Sequence, residues 1–190
     1  MRRVFLIILL KLFFFLSIFS YQAQAEEDKW YVEDFGTFIV AAVPGEVVHG
    51  DKLRFFIKKN HCSRVAMMFS FSTGIRKDEI KELQDQKLPI RINDWDTIRG
   101  AKVVYVHPLE FTTIVMMQTP GFHEIKEFIG SLNAMYTFEK EFSIQLVKQP
   151  YYDPGEHFDI LYNNWKLDRL EENIKKAQIM CRGPDEVKRA

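Results

Sequence analysis

Cys62 and Cys181 are the only cysteines in the 190-residue chain, and their placement constrains the fold more than any other feature. Cys62 stands in "KKNHCSRVAMM", at the turn between two stretches of alternating polarity. Cys181 ends a series, Leu167, Leu170, Ile174, Ala177 and Cys181, whose spacing of three and four places all five on one side of a helix. A bond between the sulfurs requires the last helix to lie with its apolar stripe against the sheet, so that the bridge encloses most of the chain. Closing a loop of about 100 residues is worth roughly 4–5 kcal/mol in the chain-entropy model. The alternative is a reactive or redox thiol. The chain has no Cys-x-x-Cys pair, and strand geometry points His61 and Cys62 to opposite faces, so the structural bridge is the expectation.

A bridge needs an oxidising compartment, and the first 25 residues supply the route to one. Met1-Arg2-Arg3 is a basic start, residues 4–19 are apolar apart from Lys11 and Ser17, and Ala23-Gln24-Ala25 has small residues at the positions a signal peptidase reads. About 20 uninterrupted apolar residues are needed to span a bilayer. This run is shorter and is split by a lysine. The reading is a bacterial-type signal peptide over residues 1–25, a single domain over 26–190, and a periplasmic or secreted protein with no stable membrane anchor after cleavage; a retained signal anchor is the alternative. Removing Arg2, Arg3 and Lys11 leaves 23 basic against 26 acidic residues, a net charge of −3. That balance argues against nucleic acid, whose binders carry a basic face.

The remaining pattern predicts α+β. Leu53, Phe55 and Ile57 alternate with Arg54, Phe56 and Lys58, and Val65, Met67, Phe69 and Phe71 alternate with Ala66, Met68, Ser70 and Ser72. With "NHCS" between them, these runs read as an antiparallel hairpin. Residues 31–43 supply one or two further strands. "LPIRIN" is a short strand whose Pro89 suggests an edge or a strand start. Residues 103–106 and 114–117 are apolar on both faces, as in strands covered on both sides. Ile125, Phe128, Ile129, Leu132 and Met135 form a helical stripe, and the last helix is expected from about Asn163, with Trp165 in its first turn, to Cys181. The sum is a mostly antiparallel sheet of about seven strands with two amphipathic helices, the C-terminal one packed on it. A β-sandwich with an appended helix is the alternative.

Candidate chemistry is sparse. Asp94, Trp95 and Asp96 pair two carboxylates with an aromatic platform, an arrangement suited to carbohydrate, although an Asx turn explains it as well. Tyr151, Tyr152, Asp153 and His157 gather in the turn-rich "QPYYDPGEHFD", and loops carry binding sites more often than cores do. The doublets Met67-Met68 and Met116-Met117 offer soft thioethers suited to Cu(I), against the plainer reading of methionine as core filler. The five histidines, His49, His61, His107, His123 and His157, show no zinc-protease spacing, and no nucleophile elbow, phosphate loop or dinucleotide fingerprint is present. The expectation is a non-catalytic binding module of the cell envelope, needing no cofactor and partnered with another envelope protein. A hydrolase using Asp94, Asp96, Asp153 and His157 is the second reading, and a copper-binding protein using the methionines the third.

Overall fold

The structure, a computed structural model, describes residues 29–48, 50–75 and 79–183. The expected signal peptide, its cleavage site and His49 lie outside the described residues.

Ten strands form one antiparallel sheet: β1 (Tyr31–Phe35), β2 (Phe38–Pro44), β3 (Lys52–Lys58), β4 (Arg64–Thr73), β5 (Lys87–Ile92), β6 (Ile98–Pro108), β7 (Thr113–Gln118), β8 (His123–Glu124), β9 (Ser143–Leu146) and β10 (Tyr162–Asn164). Their order is β1-β2-β3-β4-β7-β6-β5-β9-β10, and β8 takes over the edge of β4 beyond the end of β7. Two meanders, β1 to β4 and β5 to β7, are thus joined through the β4–β7 pair. Among the described residues the α-helices are a single turn, α1 (Glu79–Glu82), and two longer ones, α2 (Ile125–Glu139) and α3 (Leu170–Arg182).

The alternation of β3 and β4 decides which face is buried. Leu53, Phe55, Ile57, Val65, Met67, Phe69 and Phe71 all point into one core and are buried. Leu170, Ile174 and Ala177 of α3 close over the part of that face made by β1, β2 and β3. The helix stripe continues to Cys181, which is bonded to Cys62 in the β3–β4 turn with Cα atoms 5.8 Å apart. Gln178 Nε2 donates to the Cys62 carbonyl at 3.1 Å, a second tie at the same place. Gly183, at φ 74°, ends the helix with a backbone bond to Ile179.

The far end of the sheet returns to the β2–β3 turn. Glu46 N donates to the Asn164 carbonyl at 2.9 Å. The buried Asn163 side chain accepts from Val47 N at 3.0 Å and donates to the Val48 carbonyl and to Asp51, each at 3.2 Å. A Cβ on Gly45 would stand 2.4 Å from Asn163 Nδ2, so only glycine admits this approach. Asp51 is 1% exposed and also accepts from the Ser72 hydroxyl. A buried aspartate, one serine and one asparagine therefore fasten β10 to β2, β3 and β4.

Several expectations need correction. The sheet has ten strands rather than about seven, because β8 and β10 are two and three residues long and too short to show a period. The expected α+β class, a mostly antiparallel sheet with the C-terminal helix packed on it, is what the fold shows, and the alternative sandwich is not. β5 lies inside it, between β6 and β9. Pro89 is tolerated there because β9 pairs only as far as Ile90↔Leu146. The Pro89 carbonyl accepts from Val147 N at 3.0 Å, so the missing N–H faces the position where β9 has already ended. The last helix begins at Leu170, not near Asn163. Trp165 N instead donates to the Phe142 carbonyl, and the indole is buried beside the Phe142 ring. β6 and β7 are central, but their second face is only half covered: Ile114 and Met116 are partly buried and Tyr105 is exposed.

Candidate functional site

α2 crosses the core side of the sheet without closing fully onto it, and leaves a cleft of about 650 Å³ between the helix and β4, β5 and β6. The i, i+3, i+4 spacing of α2 sends Phe128, Leu132 and Met135 into this space. Period two brings Ile90 and Ile92 from β5 and Met67 from β4 to meet them. The rim is mixed, with Trp95, Thr97 and Arg99 on one side and Thr119, His123 and Ser131 on the other.

Hydrogen bonds fix this rim. Asn93, left-handed at φ 49° and buried, ends β5. Its carbonyl oxygen Oδ1 accepts from Ser143 N at 2.8 Å, and its Nδ2 donates to the Glu139 carboxylate and to the Glu141 carbonyl. Glu139 accepts on its other oxygen from Trp95 Nε1 at 2.7 Å. One asparagine and one glutamate thus hold the β5–β6 loop against the C-terminal end of α2 and stand the Trp95 ring at the mouth. On the other side, His123 stacks on Phe128 with centroids 4.6 Å apart, and its Nε2 lies 2.9 Å from the Pro120 carbonyl. Trp95 at the mouth is 40% exposed, and two further aromatics on the elements beside the cleft, Phe122 and Phe138, are exposed as well. Phe138 continues the Ser131–Met135 row of the helix by one more step of three.

The residues singled out in the sequence fall in separate places. Asp94 and Asp96 flank Trp95 and are exposed, but neither lines the cleft. Tyr151, Tyr152, Asp153 and His157 belong to the β9–β10 loop. The first group joins the start of β9 through Asn93 N to the Ser143 carbonyl, whereas the second leaves from the other end of β9, after Leu146. Asp94 and Asp96 thus stand by one end of β9, and Asp153 and His157 follow the other. Asp153 is engaged locally: it accepts from Gly155 N at 3.0 Å and pairs with Lys148, which together hold its carboxyl below the usual carboxylate range. Tyr151 is exposed, whereas Tyr152 is half-buried and stacks on His157 at 5.8 Å.

The Tyr152 hydroxyl and His157 Nδ1 are both buried with no hydrogen-bond partner among the described residues. Burial, with the charge of Asp153, pushes the phenol well above its ordinary pKa. An unpaired buried hydroxyl costs desolvation and returns nothing. Tyr152→Phe should therefore leave stability unchanged or raise it by up to about 1 kcal/mol in chemical unfolding. A loss of that size would show instead that the hydroxyl has a partner.

The methionines divide as alternation requires. Met67 and Met117 face the core, and Met68 and Met116 face the half-open side. There they line a broader hollow of about 710 Å³ with Tyr31, Arg54, Phe56 and Tyr105. All four sulfurs cannot reach one ion. Among the described residues no group of three or more His, Cys, Asp or Glu is arranged to hold a metal.

Two functional features escaped the sequence reading. The cleft is assembled from four strands, β4, β5, β6 and β8, the turns beside them and one helix, and its apolar lining is indistinguishable in sequence from core. Arg99 and His123, its charged and titratable rim groups, sit in no motif.

Together the fold and this site define an α+β domain with an apolar, half-enclosed cleft and a fixed polar rim. No family model matches the chain, and no curated protein or solved structure shows significant similarity to it.

Proposed function

We propose that this protein is an exported, non-catalytic binding module that holds the apolar part of a ligand in the cleft beneath α2. The cleft carries the reading: its volume lies within the range of small-molecule pockets, and apolar side chains with a few polar rim groups are their usual lining. Export rests on the bacterial-type leader, and the bond between Cys62 and Cys181 agrees with an oxidising periplasm or extracellular space. Among the described residues no helix is long and apolar enough to cross a membrane. The expected partnership with an envelope protein narrows accordingly, since a hollow of this size suits a small molecule better than the broad face of a stable protein interface.

The test is titration with the neutral dye N-phenyl-1-naphthylamine. One saturable site is expected, with energy transfer from Trp95 at the mouth. Ser131 is exposed and lines the cleft, so Ser131→Trp should fill the mouth without disturbing the core and weaken the dye at least tenfold. Absence of saturable binding, or equal affinity in the variant, would reject the cleft as the site.

A further inference from the structure

The cleft is electrostatically one-sided, although the chain as a whole is near neutral. Arg99 is the one fixed cation in its lining, and no carboxylate lines it. The strand register makes the position of Arg99 specific: it pairs with Ile90, so both side chains leave the sheet on the same face, Ile90 as floor and Arg99 at the mouth. Among the described residues Arg99 has no ion-pair partner. The carboxylate held at the rim, Glu139, is already committed through both oxygens to Trp95 and Asn93. Asp94 and Asp96 on the adjoining loop stay outside the lining. The site therefore presents an apolar trough ending at an unneutralised guanidinium.

We propose that the ligand is a single-chain amphiphile with a carboxylate head, its acyl chain lying along Ile90, Ile92, Leu132 and Met135 and its carboxylate paired with Arg99. A guanidinium meets a carboxylate through two parallel N–H···O bonds, and one charge balances one charge. Thr97, immediately before β6 begins, adds a hydroxyl on the same rim. This proposal rests on the cleft reading above and adds the head group to it.

The test is displacement of bound N-phenyl-1-naphthylamine by dodecanoate and by its neutral methyl ester, at pH 7.5, from the wild type, Arg99→Gln and Ser131→Trp. Arg99 is exposed, so its replacement should leave the circular dichroism spectrum unchanged; dye affinity is measured for each protein, and displacement by acid and ester is compared within each. Dodecanoate is expected to displace the dye at about tenfold lower concentration than the ester in the wild type, and Arg99→Gln should remove that advantage by weakening the acid alone. Equal displacement by acid and ester in the wild type, or equal loss of both in Arg99→Gln, overturns the carboxylate assignment while leaving the cleft in place. Dye binding that neither compound disturbs overturns the amphiphile. Failure of the dye itself to bind, or its indifference to Ser131→Trp, removes the cleft reading and this proposal with it.

Discussion

Reduction of the Cys62–Cys181 bond should lower the free energy of unfolding by about 5 kcal/mol. The two residues are 119 positions apart, so the bond removes from the unfolded chain the closure entropy of a long loop spanning β4 to α3. In the folded state it holds little that is not held otherwise. Leu170, Ile174 and Ala177 already seat α3 on β1, β2 and β3, and Gln178 bonds the Cys62 carbonyl. The Cys62→Ala/Cys181→Ala variant should therefore keep the wild-type circular dichroism spectrum at low temperature yet melt roughly 10–20 °C lower, the size expected for a domain of this length. A loss of about 5 kcal/mol is comparable with the whole stability of many domains. Reductant should reproduce the shift in the wild type and do nothing to the variant. Matching melting curves with and without the bond would show that the unfolded chain is already constrained in some other way.

The placement of that bond could be read from the sequence because two independent periods met at it. A period of two in β3 and β4 set Cys62 at their turn, and a spacing of three and four set Cys181 on the buried side of α3. Where only one signal existed, the reading failed. Asn163, Asn164 and Trp165 were assigned to the helix because they adjoin its stripe, but their backbone groups are taken by Glu46 and Phe142, distant in sequence. Pro89 suggests an edge or a strand start; β5 is an inner strand, but its pairing with β9 does start only after the proline, at Ile90. Residues 103–106 and 114–117 are apolar throughout and so suggest cover on both faces, but a bulge after Val103 sets Val106 opposite Val115 on the core side and leaves Tyr105, Ile114 and Met116 on a face only partly withdrawn from solvent. The cleft was beyond reach for a different reason. A cavity is a failure of two elements to touch, and its lining obeys the same periodicity as the core around it. Trp95 was marked for its exposed setting between two acids, but what places it at the mouth is its bond to Glu139, 44 positions away.

Asp51→Asn should stabilise the protein at neutral pH and lose that advantage in acid. Asp51 reads in sequence as an ordinary turn residue ahead of β3, yet it is buried where β10 meets the β2–β3 turn. Burial raises its pKa from 3.8 to about 6, and the bonds from Ser72 and Asn163 oppose the rise without cancelling it. Arg54 is the charged group beside it and acts in the same direction as those bonds. Because the folded-state pKa lies above the unfolded one, the contribution of Asp51 to stability is fully present below about pH 4 and is lost as pH rises through about 6. The interval from 3.8 to about 6 corresponds to roughly 3 kcal/mol, an upper bound on the cost of carrying the buried charge at pH 7. Asparagine keeps the shape of the protonated acid: its oxygen can accept from Asn163 Nδ2, and its amide can donate to the Ser72 hydroxyl. The excess stability of Asp51→Asn over wild type should then grow by about 2–3 kcal/mol between pH 4 and pH 7.5 in parallel urea titrations. A constant difference across that range would mean that the carboxylate is already ionised at pH 4. A variant less stable than wild type at pH 7.5 would mean that the charge itself, through Ser72, Asn163 and Arg54, holds the end of the sheet together.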